Sequence, residues 1–391
     1  MKILISGAGI GGPTLAYWLL RHGGFEVTLV ESAPRPRTGG YVVDFWGAGY
    51  DIAEEMGLLP TLREDGYLVR EVRMVDRAGR RVSGVPVQAI RRAVGGRWLS
   101  IPRSELAAAI FRSIEGRVEM LFGDTVTSLA QGAAAVEVRF EHAGTRSFDL
   151  VIGADGVHSA VRQLAFGAER RFEKYLGMQF AAFELAGYRP RDEDVYVMYN
   201  QVRQQADRFS LRGDRTLFLF IFAELSPDVP SDLEGQKVLL RRRFSDAGWE
   251  CPQILDRLDQ AEAFYFDRVS QITMEHWSKD RVALLGDAAF APSFLAGQGS
   301  ALAMLGAYIL AGELKHARDD PRRAFIRYEQ RLAPFMARKQ RAAVRFADNF
   351  APPSKLSVFL KNHLASTLAL PLVAELLFRP LMQDRIARPL Y

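Results

Sequence analysis

The chain has 391 residues, enough on length alone for two or three domains of about 150 residues each. Hydrophobic residues make up 48% and charged residues 25%, the balance of a folded globular protein and not of a disordered one. A net charge of +5 with only short basic groups such as Arg241-Arg242-Arg243 argues against a nucleic-acid surface, and the single cysteine, Cys251, excludes internal disulfides and cysteine-based metal centres.

In chain order, Lys2 to Ser6 is an apolar run too short for a helix and reads as a buried parallel strand. Gly7-Ala8-Gly9-Ile10-Gly11-Gly12 follows, with glycines at the first, third and sixth places of a GxGxxG turn. Pro13 to His22 has helical apolar spacing, Gly23-Gly24 ends it, and Phe25 to Val30 is a second strand closed by Glu31 and Ser32. Gly7 permits the tight turn, Gly9 lets a pyrophosphate approach the backbone, and Gly12 lets the helix sit close on the strand. The helix N-terminus offers unpaired N–H groups to the phosphates. Glu31 stands 19 residues beyond Gly12, where a carboxylate binds both ribose hydroxyls and repels a 2′-phosphate. This order of elements predicts a dinucleotide site.

Tyr41 to Asp44 reads as a short strand and Gly49 to Leu59 as a helix. Tyr67 to Val75 and Arg80 to Val87 read as a hairpin around Asp76-Arg-Ala-Gly79, and Ser100 to Glu115 as a helix. Arg117 to Leu121, Val126 to Leu129, Ala134 to His142 and Phe148 to Ile152 read as strands. Between Phe172 and Phe266 the strands become rich in aromatics, with Glu234 to Phe244 a charged helix among them. Val282 to Leu285 is another buried strand, Gly299 to Ala317 an apolar helix, and Asp320 to Asn349 an amphipathic one. In the apolar tail, Leu356 to Met382, the longest uncharged run is 11 residues and contains Pro371. A spanning helix needs about 20, so no membrane span is expected. The first strand begins at residue 2, leaving no room for a secretory leader, and a cytoplasmic location is expected.

Two later stretches repeat the strand, glycine turn, helix pattern: Val151-Ile-Gly-Ala-Asp155-Gly156-Val-His-Ser159-Ala-Val-Arg162, and Val282-Ala-Leu-Leu-Gly286-Asp287 through Pro292 to Gly297-Gln298-Gly299-Ser300. Together with the first turn, they resemble in order and spacing the three signatures of the FAD-dependent aromatic hydroxylases typified by para-hydroxybenzoate hydroxylase. The resemblance covers the whole chain. It implies an α/β fold in which a discontinuous Rossmann-like FAD-binding domain joins a substrate domain built on a mixed β-sheet, with C-terminal helices. The expected boundaries are 1–66, 99–171 and 269–349 for the FAD domain, 67–98 and 172–268 for the substrate domain, and 350–391 for a C-terminal helical segment.

The resemblance also implies roles for single residues. Asp287 accepts a ribityl hydroxyl, and Pro292 breaks the chain so that Gly297 and Gly299 bring bare backbone N–H groups against the isoalloxazine ring. Gly286, Gln298 and Ser300 belong to the same loop. Asp155 and Gly156 lie near the pyrophosphate, with Arg162 pairing to Asp155. Arg103 reaches the phosphates, and Val126 meets the adenine through its backbone. Phe290 stands where the family usually has His, and Ser300 and Ala301 where it has Asn. One dinucleotide fold is present, so NADH or NADPH would visit without a domain of its own.

The implied reaction is NAD(P)H-driven reduction of FAD, addition of O2 to give a flavin hydroperoxide, and oxygen transfer to a flat, hydroxylated aromatic or polycyclic molecule. No protein nucleophile is needed, and six histidines without metal spacing give no metal site. Expected substrate contacts are Trp46, Phe180, Met198, Tyr199, Phe218, Phe220, Phe222 and Phe294, although an aromatic strand face is more often plain core than pocket. Monomer and homodimer both remain open. A Baeyer–Villiger oxygenase, a flavin-dependent reductase of isoprenoid lipids and a non-catalytic flavin module share the cofactor pattern. A halogenase does not fit, because the paired tryptophans are missing and no lysine occurs between Lys2 and Lys174.

Overall fold

The computed structural model describes residues 1–36, 39–261, 263–364, 389 and 391. The apolar run of the tail therefore lies outside the described residues, apart from the helix Lys355–Leu364 at its start.

Six strands form the first sheet, in the spatial order Ser278–Lys279, Val282–Leu284, Leu150–Gly153, Lys2–Ser6, Glu26–Glu31 and Glu119–Phe122. All neighbours are parallel except the Ser278–Lys279 edge. Lys2–Ser6 lies in the middle and is buried on both faces, hence its unbroken apolar run. The three strands that precede glycine turns are adjacent, so their turns gather at one carboxyl edge, where open α/β sheets bind ligands. Helix Gly299–His316, buried along most of its length, packs on Gly11–His22 behind that edge.

A second sheet has seven strands: Phe264–Ile272, Glu173–Ala186, Arg215–Ala223, Gln204–Leu211, Val195–Gln201, Glu71–Val75 and Arg81–Pro86. The early hairpin joins it through a parallel pairing of Glu71–Val75 with Val195–Gln201. One face carries Phe183, Phe218, Phe220, Phe222 and Tyr199 against Leu240, Phe244 and Ile254 of the covering helical layer. The other carries Phe180, Ala182, Leu219 and Ile221 against Phe294 and Leu295, and Phe209 and Leu217 against Tyr41 and Tyr67. Smaller sheets pair Val42–Trp46 with Trp98–Pro102, and Val136–Phe140 with Val126–Gln131 and Thr145–Phe148.

Three local expectations change. Ser100 to Pro102 is strand, and the helix begins at Arg103, because the residue before a proline is driven out of the helical region. The apolar run at Phe148 splits: Thr145–Phe148 pairs antiparallel in the three-stranded sheet, and only Leu150–Gly153 enters the large one. Phe264–Ile272, unmarked in the sequence because Asp267 and Arg268 interrupt its apolar pattern, is an edge strand of the second sheet.

Candidate active site

The first turn is built as its glycines require. A Cβ at Gly7 (φ +108°) would lie 2.4 Å from the Ala154 carbonyl oxygen, and one at Gly12 would lie 2.0 Å from that of Gly7. Gly9 is open by contrast: the nearest atom to its Cβ position is an Arg103 guanidinium nitrogen, 3.8 Å away. Among the described residues the Arg103 side chain makes no hydrogen bond or ion pair with the protein. Ile10 and Gly11 are buried where helix Gly11–His22 starts. An unpaired arginine over an open glycine, beside a helix N-terminus, is a donor set for phosphate oxygens.

Glu31 closes the second strand against this turn, its carboxylate accepting the N–H groups of Ala8 (2.9 Å) and Ala33 (3.0 Å) and the Ser32 hydroxyl (3.3 Å). The Val126 side chain is buried in the core. Its chain arrives from Asp124, whose N–H donates to the Glu31 carbonyl at 3.2 Å.

Asp155 accepts the Ser159 hydroxyl at 2.5 Å and the Val161 N–H at 3.1 Å, and burial raises its pKa. Arg162 does not pair with it. The fully buried guanidinium donates to the Ala288 carbonyl at 3.0 Å, to the Val157 carbonyl and to Glu169 at 2.9 Å. The arginine therefore ties the second motif to the third, and Asp155 serves the turn of its own helix. Gly156 (φ +85°) has open space where a Cβ would stand.

In the third motif, Gly286 turns with φ +64° and Asp287 follows. Burial raises the Asp287 pKa, opposed by Arg103, and its carboxylate accepts no protein hydrogen bond among the described residues. It lies 3.7 Å from where a Gly299 Cβ would be. Pro292 accepts Gln271 Nε2 at 2.9 Å through its carbonyl. The Gly297 N–H donates to the Phe294 carbonyl at 3.1 Å, whereas the N–H groups of Gly299 and Ser300, in the first helical turn, have no backbone acceptor among the described residues. Gln298 is held by Lys339 Nζ at 2.8 Å. Phe290 packs on Trp277 at 4.7 Å in the core, so the side chain at that position does not face the crevice.

These features fit FAD. A half-buried carboxylate without donors among the described residues suits a ribityl hydroxyl, the unpaired arginine and open glycine suit the pyrophosphate, and the free helical N–H groups suit the ring's developing charge.

The seam between the sheets is aromatic. Phe294 stacks on Phe180 with centroids 4.2 Å apart and meets Tyr41 edge-on at 5.0 Å. Trp46 stacks on Trp98 at 6.1 Å with Lys339 above it. Met198 opposes Asp207 and Met74 on the same face as Phe180 and Phe209. The structure does not bring Tyr199, Phe218, Phe220 or Phe222 here: they point to the opposite face, into the cluster with Leu240 and Phe244. Tyr41, Asp44 and Tyr196, not anticipated from the sequence, do belong to this side. The available signal was Asp44 as a lone charge in the apolar strand Val42–Trp46.

At the seam's edge His158 lies between Asp267 (3.3 Å) and Glu169 (3.0 Å), and these hydrogen bonds raise its pKa to about 10. A raised folded-state pKa stabilises fully below the unfolded value of 6.5 and is lost as pH climbs through about 10. His158→Asn should therefore melt below the parent at about pH 6, with the gap closing by about pH 11. The ring is 48% exposed, so the gap will be small. A pH-independent gap in thermal melts would contradict this assignment.

A family model described as FAD binding domain matches residues 1–341. The chain belongs to that family. The FAD-binding chain is 36% identical over 361 residues to a flavin-dependent monooxygenase of an unknown prokaryotic organism, covering 91% of this chain and 92% of the relative. It is 34% identical over 368 residues to a flavin-dependent monooxygenase of Legionella longbeachae, covering 91% of each. Among solved structures it is similar to tetracycline destructase Tet(51), with TM-score 0.84 and 32% identity, covering 100% of this chain and 99% of that one. The protein is thus a para-hydroxybenzoate-hydroxylase-like FAD-dependent monooxygenase, an oxidoreductase whose chemistry implies NAD(P)H and O2. Among the described residues, no helix is long and apolar enough to cross a membrane, and no three His, Cys, Asp or Glu side chains group as a metal site.

Proposed function

We propose that the enzyme uses NAD(P)H and O2 to hydroxylate an aromatic or polycyclic, polyketide-like small molecule. The observation that carries this is the aromatic seam of Tyr41, Phe180 and Phe294 running from the third motif onto the second sheet. It is supported by full-length similarity to a protein described as a tetracycline destructase.

When bound, FAD would supply the redox chemistry that couples NAD(P)H oxidation to insertion of one oxygen atom of O2 into the substrate, the other leaving as water. The protein's part is to bind, orient and exclude water. Gly7, Gly9, Arg103 and the Gly11–His22 N-terminus would hold the pyrophosphate, Glu31 the ribose and Asp287 the ribityl chain. The N–H groups of Gly299 and Ser300 would stabilise negative charge on the ring. The substrate would lie against Trp46, Phe180, Met198 and Phe294, with Tyr41, Tyr196 and Phe209 completing the wall, in a site that keeps water from the reacting atoms.

The test is the absorbance spectrum of the purified protein, followed by NADH and NADPH oxidation with a panel of hydroxylated polycycles. Flavin bands and oxidation accelerated by one ligand class, with an oxygenated product, are expected. A protein that cannot be loaded with FAD would overturn the reading. Ligand-independent oxidation without oxygenated product would point to a reductase.

A further inference from the structure

Two groups on the flavin-facing side have polar atoms that the assignments above do not use. Asp44 lies opposite Ser100 in the small sheet and accepts its hydroxyl at 2.6 Å. Ser100 is its only hydrogen-bond donor among the described residues, and no cation there pairs with it. Much of the Asp44 surface is open, yet burial raises its pKa to about 6. Asp44 shares its strand face with Val42, which packs with Tyr41, Tyr67 and Tyr196 around Phe209 and Leu217, so the open surface of Asp44 looks toward the second sheet.

Tyr196, half-buried on the second sheet, faces the same space: burial raises its pKa, and the charges of Asp207 and Asp44 raise it further. Its hydroxyl donates to Asp207 Oδ2 at 3.3 Å, an oxygen that also takes Gln205 Nε2 at 2.7 Å. Asp207 is 1% exposed, and its other oxygen has no donor among the described residues. Lys361 donates to Asn200 at 2.6 Å and Gln205 at 2.8 Å, placing a positive charge beside this buried group. Burial raises the Asp207 pKa to about 7, and in the ionised form above that pH it takes the Tyr196 proton and leaves a Tyr196 lone pair for a ligand, beside the Asp44 carboxylate.

We infer that Asp44 and Tyr196 form an acceptor pair that determines specificity, selecting aromatic substrates with hydroxyl groups on one edge and rejecting those with a carboxylate there. Asp207 is a positioning residue that fixes which way the Tyr196 hydroxyl points. The inference rests on the monooxygenase reading above. Its physical basis is that a buried acceptor left without a donor is costly, so a ligand lacking the donor binds weakly.

Three probes test it on the flavin-loaded enzyme, with binding read from the perturbed flavin absorbance: 1,8-dihydroxyanthraquinone, its dimethyl ether, and anthraquinone-2-carboxylate. The dihydroxy compound should bind about tenfold or more tightly than the ether, with the carboxylate weakest. Asp44→Ala should remove most of that preference by weakening the dihydroxy probe alone. Asp44→Asn should let the carboxylate bind, and Tyr196→Phe should cut the preference about tenfold. Asp207→Asn should alter the preference less than Tyr196→Phe does. Melting temperature and flavin content are read on the same samples. If Asp44→Ala does not fold, Asp44→Asn and Tyr196→Phe carry the test. An unchanged preference, or equal weakening of all three probes, overturns the inference. If unsubstituted enzyme oxidises NAD(P)H and oxygenates only ligands without such hydroxyls, the inference falls and the monooxygenase reading stands. If no ligand stimulates oxidation, the parent reading falls with it.

Discussion

Replacing Arg103 with alanine should leave a folded protein that loses its flavin on gel filtration. The guanidinium stands 3.8 Å from the Cβ position of Gly9 and has no protein partner among the described residues, so its removal orphans nothing in the apoprotein. With FAD bound it would supply charge-assisted hydrogen bonds to the pyrophosphate. Each such bond contributes about 1.5–3 kcal/mol, or about 10- to 100-fold in affinity. Lysine at this position should restore only part of the affinity, since it keeps the charge and loses the planar fork. Flavin titration by fluorescence quenching measures both variants. Full retention of FAD by Arg103→Ala would remove this residue from the site.

Phe220→Ala should do the opposite, costing stability while leaving substrate affinity alone. Phe220 is fully buried among Phe183, Phe244 and their neighbours, on the sheet face that looks away from the third motif. A phenylalanine cavity of this kind costs about 3–5 kcal/mol, visible as a lower urea midpoint. The milder Phe220→Leu should keep the KM of the parent enzyme. Phe180→Leu, stacked on Phe294 at 4.2 Å, should raise it. A raised KM in Phe220→Leu with Phe180→Leu unaffected would reverse the assignment of the two faces.

That reversal shows what sequence can convey. The three glycine turns were legible because each depends on local backbone demands: Gly7 and Gly12 have no room for a Cβ, and nothing distant is needed to see why. The faces of the second sheet were not. Arg215–Ala223 is apolar on both sides, with Leu217, Leu219 and Ile221 alternating with Phe218, Phe220 and Phe222. Period-two alternation tells which residues share a face, but with no polar face to mark solvent it cannot say which one looks at the cofactor. Size favoured the phenylalanines, and the helical layer took them. Arg162 was misread for a similar reason. Asp155 is near in sequence, whereas the Ala288 carbonyl is near only after the first sheet has assembled. Asp44 was visible as a charge within Val42–Trp46, but its meaning needed Tyr196 from a distant strand.

The interleaving of the two sheets has a practical result for anyone cutting this protein apart. A fragment ending near residue 171 would carry Glu71–Val75 without Val195–Gln201, and Leu150–Gly153 without Val282–Leu284. Each half would expose unpaired strand edges, the surfaces on which chains aggregate. Neither lobe should therefore be obtainable alone in soluble form. A single nick in an exposed turn such as Asp76 to Gly79 should leave two fragments that co-purify until denatured.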